Sequence, residues 1–246
     1  MITLLKKEIN AFLNSLVGYV VISVFLVSIG LFMWVFPSAT GQFNVLDGGY
    51  ANMDTLFIIA PWVFMFLVPA VTMRSFSEEM NTGTLELLLT RPLSHWQIIF
   101  SKYSAGFLLV IFSLLPTLIY YFSIHTLGNP KGNIDSGGTW GSYLGLMFLA
   151  GGFVAIGIFA SSITGSQIVA FIFAVFLSFV FYIGFESVSS LNFWGSWDVL
   201  IQKIGINEHY ISMSRGVIDS RDVIYFGSLA ALFLFMTKVS LESRKW

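Results

Sequence analysis

A chain whose apolar residues run in tracts of membrane-crossing length, with no ionisable side chain in the middle of any tract, has few folds open to it. Six tracts follow one another: Val17–Phe36, Thr55–Met73, Tyr103–Ile124, Ser142–Ile163, Gln167–Phe185 and Val223–Thr237. A helix needs about 20 residues to cross the hydrocarbon core. Inside lipid every backbone N–H and C=O must be satisfied within the protein, which leaves the helix as the form such tracts take. Composition agrees, with 56% hydrophobic and only 10% charged residues, against roughly a quarter charged in soluble domains. The expectation is an all-α polytopic membrane protein, one transmembrane domain over residues 1–246.

The fourth and fifth tracts form a single charge-free stretch from Ser136 to Phe185, and Thr164-Gly165-Ser166 is the tight-turn signal at its middle. The sixth tract is short, about 15 residues or about 22 Å at helical rise. It lengthens through Val239 and Leu241 if Lys238 snorkels to the interface. The chain begins with lysines and an apolar run, as a signal peptide would, but lacks a small-residue cleavage site, so the run is expected to stay as a first span.

Six spans put both ends on one side. With the ends inside, eight basic residues are inner (Lys6, Lys7, Arg74, Arg91, Lys102, Lys238, Arg244, Lys245) and four outer (Lys131, Lys203, Arg215, Arg221). The positive-inside rule therefore predicts cytoplasmic termini. Residues 1–14 form an amphipathic interfacial helix in which Leu5, Ile9, Phe12 and Leu13 share a face away from Lys6, Lys7, Asn10 and Asn14. On the outer side, 37–54 and 125–141 are ordinary loops rich in Gly, Asn and Asp. Residues 186–222 instead predict re-entrant or interfacial helices. Ser196 caps one with the stripe Trp197, Leu200, Ile201 and Ile204, and Gly205 stops it. Asn207 caps a second carrying Tyr210, Met213 and Val217, while Trp194 and Trp197 suit the aromatic belt. Glu186, at the outer end of the fifth span, is expected to face the interface or to help form an outer gate.

Arg74 to Lys102 is the one long polar interruption. Ser75 with Glu78, and Ser94 with Gln97, have capping-box spacing, predicting helix starts at both places. Between them Leu85, Leu88 and Leu89 share one face of a short helix, Glu86 and Thr90 another, and Pro92 ends it. The segment reads either as an interfacial helix with its leucines in the headgroups or as a rigid piece that docks on something in the cytoplasm. Two rows of small residues, Ser166, Ala170, Ala174 and Ser178 on the fifth span and Gly141, Gly145, Gly152 and Ala155 on the fourth, allow close helix approach within the protomer or between copies.

The sequence has no G-x-x-x-x-G-K-[ST], no H-E-x-x-H and no G-x-S-x-G, and His95, His125 and His209 fall in separate loops. No catalytic residue, metal site or cofactor is expected in this chain. A net charge of −1 points away from nucleic acid, and the absence of cysteine removes thiol chemistry. Charge-free spans disfavour an ion-coupled carrier.

EExxxGTLExLLxxPLSxxxIIxxK, from Glu78 to Lys102, resembles the cytoplasmic coupling segment of type-2 ABC transporter permeases. KKEINAFLNSLVGYVVISVF near the start, RGVIDSRDVIYF and LESRKW agree, and together they look most like the permease subunit of gliding-motility ABC transporters. Met80 departs from the pattern, standing where such permeases often carry a basic residue. The resemblance implies a bacterial inner-membrane permease and a separate ATP-binding-cassette ATPase that holds the ATP and Mg. It also implies a second permease copy or related membrane subunit, a membrane-anchored periplasmic subunit, and contact with membrane lipids. ATPase coupling would fall to Glu78, Glu79, Gly83, Thr84, Leu85, Glu86, Leu88, Leu89 and Pro92, with Lys102 anchoring its helix at the headgroups. Permeases of this kind pair through their first and fifth spans, which would put Ser166, Ala170, Ala174 and Ser178 at or beside a dimer interface. A second reading makes the chain a mechanical transmitter that passes ATP-driven motion to a periplasmic partner and translocates nothing.

Overall fold

Helices account for most of the backbone because the apolar tracts leave no other way to satisfy it. The computed structural model describes residues 2–37, 43–90, 92–191, 193, 195 and 197–243. Helix α1 (Ile2–Leu13) turns at Ser15, whose side chain accepts from the Gly18 amide, into α2 (Leu16–Gly30), which continues through a π-helical turn at Leu31–Val35. The short α3 (Val45–Gly48) leads to α4 (Asp54–Thr72), α5 (Arg74–Asn81) and α6 (Thr84–Leu89). Helix α7 (His95–Leu114) passes through a 3-10 turn at Leu115–Thr117 into α8 (Leu118–Leu127). Then come α9 (Ser136–Ile163), α10 (Gln167–Phe179), a π-helical turn at Val180–Gly184 and α11 (Phe185–Ser189). The chain closes with α12 (Trp197–Ile204), α13 (Ile206–Ser214) and α14 (Ser220–Glu242). Among the described residues there is no strand, and six helices are long and apolar enough to cross a membrane. The sixth does run past Lys238, to Glu242.

Helix α9 is the centre of the bundle. It packs against α4, α7, α10, α13 and α14, and it is the most buried of the six spans. Its glycines set the distances. A Cβ on Gly157 would lie 2.0 Å from Thr72 Oγ1 of α4, and one on Gly145 would lie 2.7 Å from Met213 Cβ of α13. Gly141 faces the Gly216 backbone and Gly152 faces Leu229 of α14. The small row of the fourth span is thus buried inside the protomer, Gly141 and Gly145 against the end of α13 and Gly152 against α14.

The end of the bundle away from the termini is closed by the α12–α13 pair. Proline 61 lacks the amide that would bond the Phe57 carbonyl four residues earlier. The Tyr210 hydroxyl of α13 donates to that carbonyl at 2.6 Å. Burial pushes the Tyr210 phenol well above its usual range, so it stays a neutral donor. Ser142 Oγ donates to the Ser214 carbonyl, and the His209 ring stacks on Tyr225 of α14 with Nδ1 2.7 Å from Asp222 Oδ1. Two expectations fail here. Asn207 does not cap α13, which begins at Ile206 after Gly205; its amide donates instead to Glu186 Oε2. Val217 lies beyond α13 and is exposed, because the helix stops at Ser214. Ser196 and Trp194 lie outside the described residues.

Two outcomes test this packing. Gly157→Leu lowers stability in detergent by about 1–3 kcal/mol, the usual effect of overpacking, whereas Gly227→Leu, with nothing within 4 Å of the new Cβ, leaves the melting temperature unchanged. Tyr210→Phe strands the Phe57 carbonyl and destabilises by about 1–3 kcal/mol, read by the same thermal unfolding.

Candidate functional site

The polar interruption folds at the end of the bundle that carries both termini. Helix α5 continues α4 almost without a break: Met73, the single residue between them, is itself helical. The start predicted at Ser75 is therefore absent. Thr72 Oγ1 donates back to the Val68 carbonyl, Ser77 Oγ donates to Met73, and Phe76 and Ser77 are buried, so nothing competes with the helix. The chain reverses at Gly83, whose φ of 70° is one that residues with a Cβ rarely adopt. Thr82 Oγ1 accepts or donates across the turn to Thr84 Oγ1 at 2.9 Å and also bonds the Glu78 carbonyl. Helix α6 ends at Leu89, and exposed Pro92 sits in the bend that follows. The Ser94–Gln97 capping box then opens α7 as expected, with both reciprocal bonds made (3.1 and 3.3 Å).

One cation organises the inside of this region. Lys102 is 2% exposed, so it does not reach the headgroups as predicted. Its Nζ lies 3.0 Å from Glu8 Oε1 of α1 and 3.0 Å from Glu79 Oε2 of α5, and it donates to the Ser75 carbonyl. The Phe76 ring lies beneath it at 5.0 Å. Lys7 approaches the other oxygen of Glu79 at 3.7 Å. A buried ammonium is tolerable only when paired, and here the pairing draws three separate helices onto one charge. A cavity of about 340 Å³ lies beside the cluster, bounded by α1, α4, α5 and α7. On the other flank, His95 Nδ1 is 3.5 Å from Glu242 Oε1 and Lys238 stands over the Trp96 ring, tying α14 to α7.

The expected coupling residues divide accordingly. Glu78, Gly83, Thr84 and Glu86 are exposed together on the α5–α6 turn. Glu79 is held by Lys102 and Lys7, Leu85 is 1% exposed, and Leu88 packs against the core, so these three secure the segment instead of facing a partner. The Leu89 side chain and Arg91 lie outside the described residues. Leu87, on the opposite face from Leu85, is 68% exposed. The leucine run made that residue indistinguishable from its neighbours by periodicity. The Thr164–Ser166 turn lies alongside, since a Cβ on Gly165 would sit 3.8 Å from the Asn81 amide.

The fifth-span row packs within the protomer. Ala170, Ala174 and Ser178 are fully buried against the protomer's own helices, α10 packing on α9 and α4. Ser166 is exposed, but at the turn beside α5. What α10 shows outward is its opposite face, Ile168, Ile172, Phe176 and Phe179.

A family model described as ABC-2 family transporter protein matches residues 2–193. The chain belongs to that family. It is a multi-pass membrane permease of the ABC-transporter type, a class that works with a partner ATPase in a lipid membrane. The match spans α1 to α11 of the permease, including the whole α5–α7 segment, and stops before α12. No curated protein matches the permease.

Removing the Lys102 ammonium leaves Glu8 without its cation and Glu79 with Lys7 alone, at 3.7 Å. Lys102→Met is expected to cost about 3 kcal/mol, the low end for breaking a buried pair because Glu8 and Glu79 retain some water access. It should also speed proteolysis within α1. Adding Glu8→Gln and Glu79→Gln to Lys102→Met restores part of the loss, as measured by thermal unfolding and limited proteolysis.

Proposed function

We propose that this permease couples ATP hydrolysis on a separate ATP-binding-cassette subunit to transport across a bacterial inner membrane, in a complex of the gliding-motility type. The observation that carries the reading is Leu87, a large apolar side chain left exposed beside Glu78, Glu86 and Thr84 on a turn that is otherwise tied down. An exposed leucine next to Glu86, on a turn that also exposes Glu78, is suited to an apolar cleft with a basic rim. Glu78, Gly83, Thr84, Glu86 and Leu87 make the contact, while Glu79, Leu85 and Leu88 hold the projection to the bundle. The terminal end faces the cytoplasm, where the inner basic residues gather and ATP is found.

A second permease copy, or a related membrane subunit, covers the face made by α2, α4 and α10. Helix α4 packs against both of the others, and its outward row Ile58, Trp62 and Phe66 lies between Val20, Val24 and Val27 of α2 and Ile172 and Phe176 of α10. The α2 and α10 spans are the least buried within the protomer, which is what an interface between copies requires. The α12–α13 region offers a membrane-anchored periplasmic subunit its surface, with Trp197, Val199 and Leu200 exposed. The substrate path runs between the copies, along α4.

Copurification in mild detergent tests the coupling. The wild-type permease is expected to bring down a P-loop ATPase. Leu87→Asp and Glu86→Lys each cut that association at least about tenfold, equivalent to about 1.4 kcal/mol, with no change in melting temperature. Full association in both variants would remove the coupling role.

A further inference from the structure

Span 2 and span 5 part company at the end away from the termini, and α13 fills only some of the gap. The space that remains is about 510 Å³, within the range of small-molecule sites. Ile58 and Trp62 of α4 form one wall, and Tyr182 and Ile183 of the π-helical turn form the other with Glu186 one turn further on. Tyr210 closes the bottom, 3% exposed and fixed through its hydroxyl to Phe57.

The chemistry of this lining is unusual for a gap between membrane-spanning helices. Trp62 and Tyr182 meet edge to face, centroids 6.0 Å apart and planes at 82°, which makes a rigid aromatic corner. Glu186 stands beside it as the only acidic group in the lining. Its Oε2 accepts the Asn207 amide at 2.6 Å, which orients the carboxylate. Among the described residues no Lys, Arg or His forms an ion pair with it. An oriented carboxylate beside aromatic faces at the mouth of a cavity favours a cation, and the type of cation follows from the walls. Metal ions such as Ca²⁺ demand six or more oxygen ligands, which these walls do not supply. A weakly hydrated organic ammonium is attracted both by the carboxylate and by the indole face.

We propose that this cavity is a binding site for an organic ammonium group: Glu186 and Trp62 hold the cationic head, and Ile58 and Ile183 take the attached hydrocarbon. The inference rests on the transport reading only for its consequence, that amphiphilic or head-group-like ammonium compounds are the class of substrate handled. Binding itself is a property of the permease alone.

The test uses full-length permease in dodecyl maltoside, which carries no charge, titrated calorimetrically with benzyltrimethylammonium and, as the uncharged control, benzyl alcohol. Saturable binding of the ammonium is expected, with benzyl alcohol at least about tenfold weaker. Glu186→Gln weakens ammonium binding by a similar factor of about ten, and Trp62→Leu, which keeps an apolar side chain, weakens it several-fold. Both variants keep the wild-type melting temperature, since neither residue is buried. Absence of saturable binding, unchanged affinity in Glu186→Gln, or equal affinity for benzyl alcohol would overturn the proposal. The measurement involves no ATPase, so its failure and a failure of the copurification test are separate results.

Discussion

Lipid gives helices no hydrophobic reason to associate, since the tails are as apolar as the side chains. What holds this bundle is close fit around one helix. Over its 28 residues α9 carries no charge and presents glycine where α4, α7, α13 and α14 approach it. Gly157 admits α4, Gly152 admits α14, and Gly141 and Gly145 admit the chain returning through α13. Short contacts of this kind maximise dispersion, which is weak per atom pair but summed over long interfaces. They also allow Ser and Thr hydroxyls to reach backbone carbonyls of neighbours, as Ser142 does with Ser214 and Ser240 with Ser162. The placement of the other spans follows from where α9 is thin.

At the terminal end a second principle takes over. Lys102 has been taken out of water, and its partners come from α1, 94 positions away in sequence, and from α5. Such a cluster adds little net stability compared with a well-packed apolar substitute. Its effect is on geometry: α1, α5 and α7 satisfy one ammonium only in one mutual arrangement. The exposed turn at Gly83 and Leu87 is thereby fixed relative to three helices.

Hydrophobic length and punctuation made much of this legible in advance. The six crossings, the Ser94–Gln97 start, the short leucine helix and the paired helices before the last span all follow from local rules. Facing did not. In a soluble protein the apolar side of a helix is the buried side, but in a membrane protein both lipid and the protein interior accept apolar residues. Ala170, Ala174 and Ser178 could therefore be assigned outward when they point inward, and Leu85 could not be told from Leu87. Lys102 was misread for a related reason. A lysine near the end of a span can snorkel, and the carboxylates that hold it instead lie in segments whose approach no local pattern encodes. The Tyr210 bond to Phe57 was equally hidden, although Pro61 announces a freed carbonyl in need of a donor.

The continuity of α4 with α5 links the two ends in a way that bears on mechanism. The helix from Asp54 to Asn81 begins beside Tyr210 and the aromatic cavity and finishes at the exposed turn. Force applied at Leu87 passes through the Gly83 turn, bridged by the Thr82–Thr84 hydroxyl contact, and then along one continuous helix that contains Pro69 before it reaches Trp62. The resistance to that force lies in the Lys102 cluster at one end and in the Tyr210 hydroxyl at the other, where Pro61 has already removed one helical bond. A tilt of span 2 therefore changes the separation of Trp62 from Tyr182. By thermodynamic linkage, a ligand that favours one such separation must in turn favour one position of the docking turn. On the proposed reading, coupling between the ATPase and the far-side cavity requires no chain of side-chain relays. The continuous α4–α5 helix, joined to the docking turn at Gly83, is sufficient.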